Sequence, residues 1–266
     1  MPATEQSILV ENDDTVRTIR LNRPDVLNAF DTPMLTALSK AVREAARDKG
    51  VRCLVLTGNG RAFSSGQDLA ETSEKYKNSE PLELGQHLRD LYNPIIISLR
   101  TMEKPVIAAI NGVAAGAGLS VALAADLRIA AESASFIQVF INVGVIPDAG
   151  GTFMLPRLVG LSRALELAFT GRKVKAEEAL RIGLVNQIAP DDELADVTSK
   201  LARKLAQLPT KTMGLIKRGI NASWGNDLRT QLAYEAELQT TAGQSYDHRE
   251  GVMAFLEKRS AKFEGR

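Results

Sequence analysis

The chain has few of the side chains that nucleophilic and metal chemistries most often recruit. It carries one cysteine, Cys53, in 266 residues, so no disulfide can form within it. That cysteine lies in the apolar run VRCLVLT, where a thiol packs as a small hydrophobe rather than attacking a substrate. The two histidines, His87 and His248, have no second ligand at metal-like spacing, which argues against a zinc site. An excess of either charge is also missing: 33 Lys and Arg face 32 Asp and Glu, a net charge of +1. No global field therefore draws nucleic acid or an anionic membrane, and no basic stripe is visible. No apolar run approaches the roughly 20 residues of a membrane span. The opening MPATEQSILVENDD carries acids and lacks the apolar stretch of a secretory signal. A reducing cytoplasm is the expected setting.

What is present suits an ordinary globular chain, with 44% apolar and 24% charged residues, long enough to bury a core without staples. Ile8 to Val10 and Val16 to Leu21 read as paired strands around Asp13-Asp14. Thr32 looks like a helix N-cap followed by Pro33, with Leu35, Leu38, Val42 and Ala45 on one face and Gly50 as the stop. Val51 to Thr57 reads as a buried strand, Glu71 to Glu83 as a solvated loop, and Leu84 to Arg100 as a helix. Pro105 to Ile110 and Leu127 to Ala131 read as strands flanking a small-residue helix within Gly116 to Ala125. This strand–helix rhythm predicts an α/β class with largely parallel pairing. After Ala189 four helices are predicted, over 192–208, 210–222, 227–241 and 247–263, the last opening on a capping box of Asp247 and Glu250. The expected division is a core over 1–190 and a helical region over 191–266.

Three segments have the composition of a ligand site. In FSSGQDL, residues 63–69, a glycine just after a buried strand and its turn can aim backbone N–H groups at a ligand. In GVAAGAG, residues 112–118, small residues lead into a helix whose first N–H groups are unpaired donors. In IPDAGGT, residues 146–152, a carboxylate sits in a small-residue turn. Each also has a plain structural reading. Glycine-rich turns are often only tight connections, Asp148 suits a helix N-cap, and Asp68 suits a loop anchor. GVAAGAG lacks the GxGxxG spacing of a dinucleotide fold.

Together with LNRPDVLNAF (21–30), LTGNGRAFSSGQDL (56–69), KPVIAAINGVAAGAG (104–118), ADLRIAAESASF (125–136), GVIPDAGGTFMLPRLVG (144–160) and REGVMAFLEKRSAKF (249–263), these segments resemble the crotonase family of enoyl-coenzyme A hydratases and isomerases, nearly end to end. The resemblance implies a spiral of ββα turns with a helical C-terminal trimerisation region, assembled as a homotrimer or a dimer of trimers. It implies a coenzyme A thioester substrate, with the backbone N–H groups of Gln67 and Ala117 holding the thioester oxygen. It places Arg23, Asp25 and Leu27 at the pantetheine and nucleotide entrance, Ser65, Gly66, Asp68 and Leu69 on the adenine side, and Lys258 or Lys262 near a phosphate. Gly116, Tyr92 and Phe140 join the expected substrate-binding set, although Tyr92 equally suits a core position.

The two positions where family hydratases carry glutamates hold Ser120 and Phe140 here. Asp148 matches the aspartate of single-acid isomerases. It is the expected catalytic base, in surroundings made apolar by Phe140, Ile137 and Ile146. No metal, redox or other cofactor is expected, and neither nucleic acid nor a membrane is an expected partner. Within the family, YNPIIISL, NGVAAGAG, IPDAGGT and REGVMAFLEKRS are most similar to the branch that isomerises ring epoxides of phenylacetyl thioesters in aerobic phenylacetate degradation and also shifts enoyl double bonds. The alternatives are a hydratase or another single-aspartate member, and, more distantly, a non-catalytic RNA-binding member.

Overall fold

A computed structural model describes residues 6–266, so residues 1–5 of the opening segment, where no signal is expected, lie outside the described residues. The apolar runs form β1 (Ile8–Asp13), β2 (Val16–Leu21), β3 (Cys53–Gly58), β4 (Ala62–Ser64), β5 (Val106–Ile110), β6 (Val113–Ala115), β7 (Leu127–Ala131), β8 (Ser135–Ile137), β9 (Lys173–Lys175) and β10 (Gln187–Ala189). One sheet runs β1-β2-β3-β5-β7-β10 and a smaller one runs β4-β6-β8-β9. β1 and β2 pair antiparallel, Asp13 opposite Val16, as expected around Asp13-Asp14, and the other pairings of the large sheet are parallel, while β8 and β9 of the small sheet pair antiparallel. Each pair β3–β4, β5–β6 and β7–β8 sends its first strand to the large sheet and its second to the small one. Repetition of that step produces the spiral. The continuous β-branched and alanine runs are explained by burial on both faces: every residue of β3 and β5 is buried.

The helices between these pairs are α1 (Thr32–Arg47), α2 (Leu69–Lys77), α3 (Leu84–His87), α4 (Asn93–Thr101), α5 (Ala117–Leu123), α6 (Gly151–Val159), α7 (Leu161–Thr170) and α8 (Ala176–Arg181). Several details correct the sequence reading. Asp31, not Thr32, caps α1, because its carboxylate accepts from the Met34 N–H at 2.8 Å, and the helix ends at Arg47 rather than near Gly50. The expected loop over 71–83 is helical through Lys77, since Asp68 accepts from the Ala70 N–H and starts α2. The single helix expected over 84–100 is interrupted by a π turn, Leu88–Tyr92. Pro94 has no N–H to give the Asp90 carbonyl, and the Asn93 N–H instead reaches back five residues to Leu88.

The remaining helices are α9 (Leu194–Ala206), α10 (Thr210–Ser223), α11 (Leu228–Gly243) and α12 (Tyr246–Leu256). α9 lies across the large sheet, burying Leu194, Thr198, Ala202 and Ala206. α10 is pinned to the core by Lys217, whose ammonium donates to the Leu99 carbonyl at 2.7 Å and to Asp126 at 2.8 Å. α11 buries none of its residues. The last helix stops at Leu256, well short of 263, so Lys258 and Lys262 lie in the tail that follows it. Ser245 caps it through the His248 N–H, while the buried Asp247 carboxylate is taken by the N–H groups of Glu264 and Gly265. Asp247 and Glu250 therefore do not form a capping box.

Candidate active site

The site is built where the 23–30 loop, the β4–α2 turn, the β6–α5 turn and the segment before α6 converge. Asn28, fully buried with φ 54°, ties the first loop together. Its Oδ1 accepts from the Arg23 N–H, and its Nδ2 donates to the Asn59 and Ala62 carbonyls at 2.9 and 2.8 Å. Asn tolerates the left-handed region and carries both donor and acceptor, so one residue satisfies strain and hydrogen bonding together. Sequence reasoning missed it, although an Asn after a Pro-Asp turn is the available signal.

Arg23 is held by three partners: the Ala29 carbonyl at 2.6 Å, Asp68 at 3.0 Å and Asp31 at 3.2 Å. Its charge fastens the loop to the start of α2, so the loop-anchor reading of Asp68 describes what that carboxylate does. Asp25 is exposed in the 3-10 turn Pro24–Val26, and half-buried Leu27 sits at φ 56°. The Leu27 carbonyl accepts from the Ser65 N–H at 2.9 Å, joining the two expected entrance segments. Leu69 is largely exposed at the first turn of α2.

Gly66 sits at φ 96°, and a Cβ there would lie 2.9 Å from the Ala115 oxygen and 3.2 Å from the Ala117 nitrogen. Only glycine allows this approach, which brings the Gly66–Gln67 peptide against the first turn of α5. The Gly66 carbonyl accepts from the Phe30 N–H at 2.7 Å, and the Asp68 N–H returns to the Phe30 carbonyl at 2.8 Å. A trans peptide points its N–H opposite to its carbonyl, so the Gln67 N–H faces away from Phe30. Gly116 takes φ 51°, ψ −129°, and Ala117 opens α5, where a helix leaves its first N–H groups unpaired. Phe140 is buried, with its ring tip 4.0 Å from the Cβ position of Gly116. Tyr92 is 1% exposed: its ring packs edge-on against Phe30 as core, and its hydroxyl donates to Gln67 Oε1 at 2.6 Å.

Asp148 does not cap a helix; Gly150 occupies that position, and α6 begins at Gly151. The carboxyl is half-buried, with Oδ1 out of reach of any hydrogen-bond partner among the described residues. Burial pushes its pKa up to about 6, against a smaller opposing pull from a hydrogen bond to its own backbone. The burial does not come from Ile146, which is 75% exposed, contrary to expectation. It accompanies packing of the segment onto α4 and α5. A Cβ at Gly150 would meet Ile96 at 3.3 Å, and one at Gly151 would meet Ser120 Oγ at 2.8 Å. Ser120 is fully buried, and its hydroxyl also has no partner among the described residues. A half-buried carboxyl that ionises near 6 can take up and return a proton near neutral pH, and unpaired main-chain N–H groups such as those that open α5 can polarise a carbonyl. No group of acids, histidines and cysteine among the described residues could hold a metal, and no described helix is long and apolar enough to cross a membrane.

The family described as Enoyl-CoA hydratase/isomerase matches residues 11–266. The chain is 46% identical to the 1,2-epoxyphenylacetyl-CoA isomerase of Escherichia coli K12, covering 97% of this chain and 98% of that one. It is 36% identical to the trans-2-decenoyl-[acyl-carrier-protein] isomerase of Streptococcus mutans, over 98% of this chain and 99% of that one. A solved enoyl-CoA hydratase from Bacillus anthracis superposes with a TM-score of 0.91 at 35% identity, covering 98% of this chain and all of that one.

Proposed function

The chain belongs to the enoyl-CoA hydratase/isomerase family and is an enzyme of that family, and from this premise we propose that it isomerises acyl-coenzyme A thioesters with one carboxylate, Asp148, as its proton carrier. The N–H groups of Gln67 and Ala117 hold the thioester oxygen. Charge gathers on that oxygen as a proton leaves the neighbouring carbon, and fixed donors stabilise it without reorganising; one such donor is worth about 3 kcal/mol. In a 3-enoyl ester, the Asp148 carboxylate takes a proton from C2, the electrons spread into a dienolate, and the resulting carboxylic acid returns a proton at C4. The double bond moves to C2–C3 with no net gain or loss.

The observation that carries this reading is the state of Asp148: half-buried, its Oδ1 unpartnered among the described residues, and poised near 6. A base is most useful with a pKa near the working pH. Ser120 and Phe140, at the positions that match the two hydratase glutamates, cannot activate water at neutral pH. The identity to an epoxyphenylacetyl-CoA isomerase supports an aromatic ring epoxide as one acyl group and phenylacetate catabolism as its setting. Arg23, Asp25, Leu27, Ser65, Gly66, Asp68, Leu69, Gly116, Tyr92 and Phe140 shape the binding region, with Arg23 acting through the loop it anchors rather than as a free phosphate ligand. Exposed Ile216, Ile220 and Leu232 line a groove of about 670 Å³ between α10 and α11 and support assembly as a trimer or paired trimers.

The test is a mass-spectrometric product survey with crotonyl-coenzyme A, a 3-enoyl ester and the ring epoxide of phenylacetyl-coenzyme A. The reading expects conversion of the last two. Fast hydration of crotonyl-coenzyme A with no double-bond shift would replace it with the hydratase alternative.

A further inference from the structure

Gln67 is named above for its main-chain N–H alone, which leaves its side chain without a purpose. That side chain is not free. Its Oε1 accepts from the Tyr92 hydroxyl at 2.6 Å and lies 3.2 Å from His87 Nε2. Tyr92 and His87 also touch each other, with ring centroids 5.8 Å apart. They are five residues apart in sequence, and on a regular α-helix such residues would point about 140° apart. Here the chain between them is the π turn Leu88–Tyr92, whose i→i+5 bonding brings residues five apart onto one face. Pro94 fixes that wide turn, because it cannot supply the next α-helical hydrogen bond.

We propose that Tyr92 and His87 are positioning residues: by clamping the Gln67 side-chain carbonyl they hold the Gly66–Gln67 peptide with its N–H turned toward Ala117, and the π turn is what brings both of them to it. The proposal rests on the oxyanion reading of Gln67. The Phe30 N–H fixes the direction of the Gly66 carbonyl and the Phe30 carbonyl takes the N–H of the next peptide, at Asp68, so both bonds run to the 23–30 loop. The glutamine carbonyl supplies an anchor of its own, made to the α3–α4 helix rather than to the 23–30 loop. Tyr92 is suited to the task because it is buried, held at its edge by Phe30, and has two soft torsions only. Loss of this anchor lets the Gln67 peptide sample other orientations, which weakens the hold on the charged oxygen more than the hold on the neutral thioester.

The experiment is a double-mutant cycle on a 3-enoyl-coenzyme A ester. Tyr92→Phe keeps the ring and its contact with Phe30 and removes only the hydroxyl; Gln67→Leu removes the acceptor and keeps the main-chain N–H. Each single variant is expected to lower kcat about fivefold to tenfold while KM stays within about twofold, the size of one lost hydrogen bond expressed in the transition state. The double variant should be no slower than Gln67→Leu alone. Wild-type kcat in Tyr92→Phe, or losses that multiply in the double variant, would overturn the proposal. Should Tyr92→Phe fail to fold, His87→Leu with Gln67→Leu closes the same cycle under the same criteria. The thioester carbonyl stretch of a bound, non-reacting analogue separates the two levels of the argument. No lowering of that frequency in the wild type defeats the oxyanion reading itself. A lowering that Tyr92→Phe leaves unchanged defeats the clamp alone.

Discussion

Asp148→Asn should gain stability relative to the wild type as pH rises while losing its reactivity, and the size of the change follows from where the carboxyl sits. Burial moves this group from its ordinary 3.8 to about 6. A carboxyl with a raised folded-state pKa opposes folding once ionised: between the two values the folded chain keeps a proton that the unfolded chain has released, and above both the full cost applies. For these values the cost is about 3 kcal/mol near pH 8 and about 1 kcal/mol near pH 4.5. Asparagine cannot ionise, so it removes the cost, but its amide brings two donors to a place where Oδ1 already finds no partner. That second contribution does not vary with pH. Urea unfolding of both proteins near pH 4.5 and near pH 8 should therefore show the stability difference, variant minus wild type, moving by about 2 kcal/mol in favour of the variant as pH rises. A difference that stays the same at both pH values would refute the claim that Asp148 ionises against burial.

Three further outcomes follow from the same structure. The wild-type kcat/KM for a 3-enoyl ester should rise with pH and level off above about 6, since only the carboxylate form of Asp148 accepts a proton; a profile flat from pH 5 to 8 (roughly the range where burial matters) would contradict this. Gly66→Ala should cut kcat sharply, because its Cβ must displace the Ala115 carbonyl at 2.9 Å from a position with φ 96°; steady-state kinetics with a melting curve as control checks it. Lys217→Met should cost about 1.5–3 kcal/mol in urea unfolding, because Asp126 loses its 2.8 Å partner in the α10 anchor but keeps Arg100 at 3.5 Å and the Val106 N–H at 2.9 Å.

The parts of the fold that were legible in the sequence are those set by local chemistry. The buried runs of β3 and β5 are continuous and largely apolar, and the small residues before α5 and α6 mark backbone that must approach something closely. The caps were less legible, because Asp31 and Thr32 are both good capping residues in adjacent positions, and only the 2.8 Å bond to the Met34 N–H chooses between them. The helix over 69–77 reads as a loop because its large apolar residues, Leu69 and Tyr76, are few and exposed, and its start depends on Asp68, which also answers Arg23 from 45 residues away. Asp148 stood out as a lone acid in a small-residue turn, yet its burial could not be read from Ile146, which points to solvent. It accompanies the close approach of Gly150 and Gly151, just after it, to Ile96 and Ser120, which lie far off in sequence. The Tyr92–Gln67 bond spans 25 residues and a π turn, and no periodicity predicts it.

The most direct check on a single carboxylate as the proton carrier is turnover of a 3-enoyl-coenzyme A ester in deuterium oxide by the wild type and by Asp148→Asn, with the product followed by mass spectrometry. The wild type should form the 2-enoyl ester. The variant should bind the thioester with comparable affinity and form product at least about a thousandfold more slowly, in keeping with loss of general acid–base catalysis. Product formation at a near wild-type rate without the Asp148 carboxyl would contradict the account.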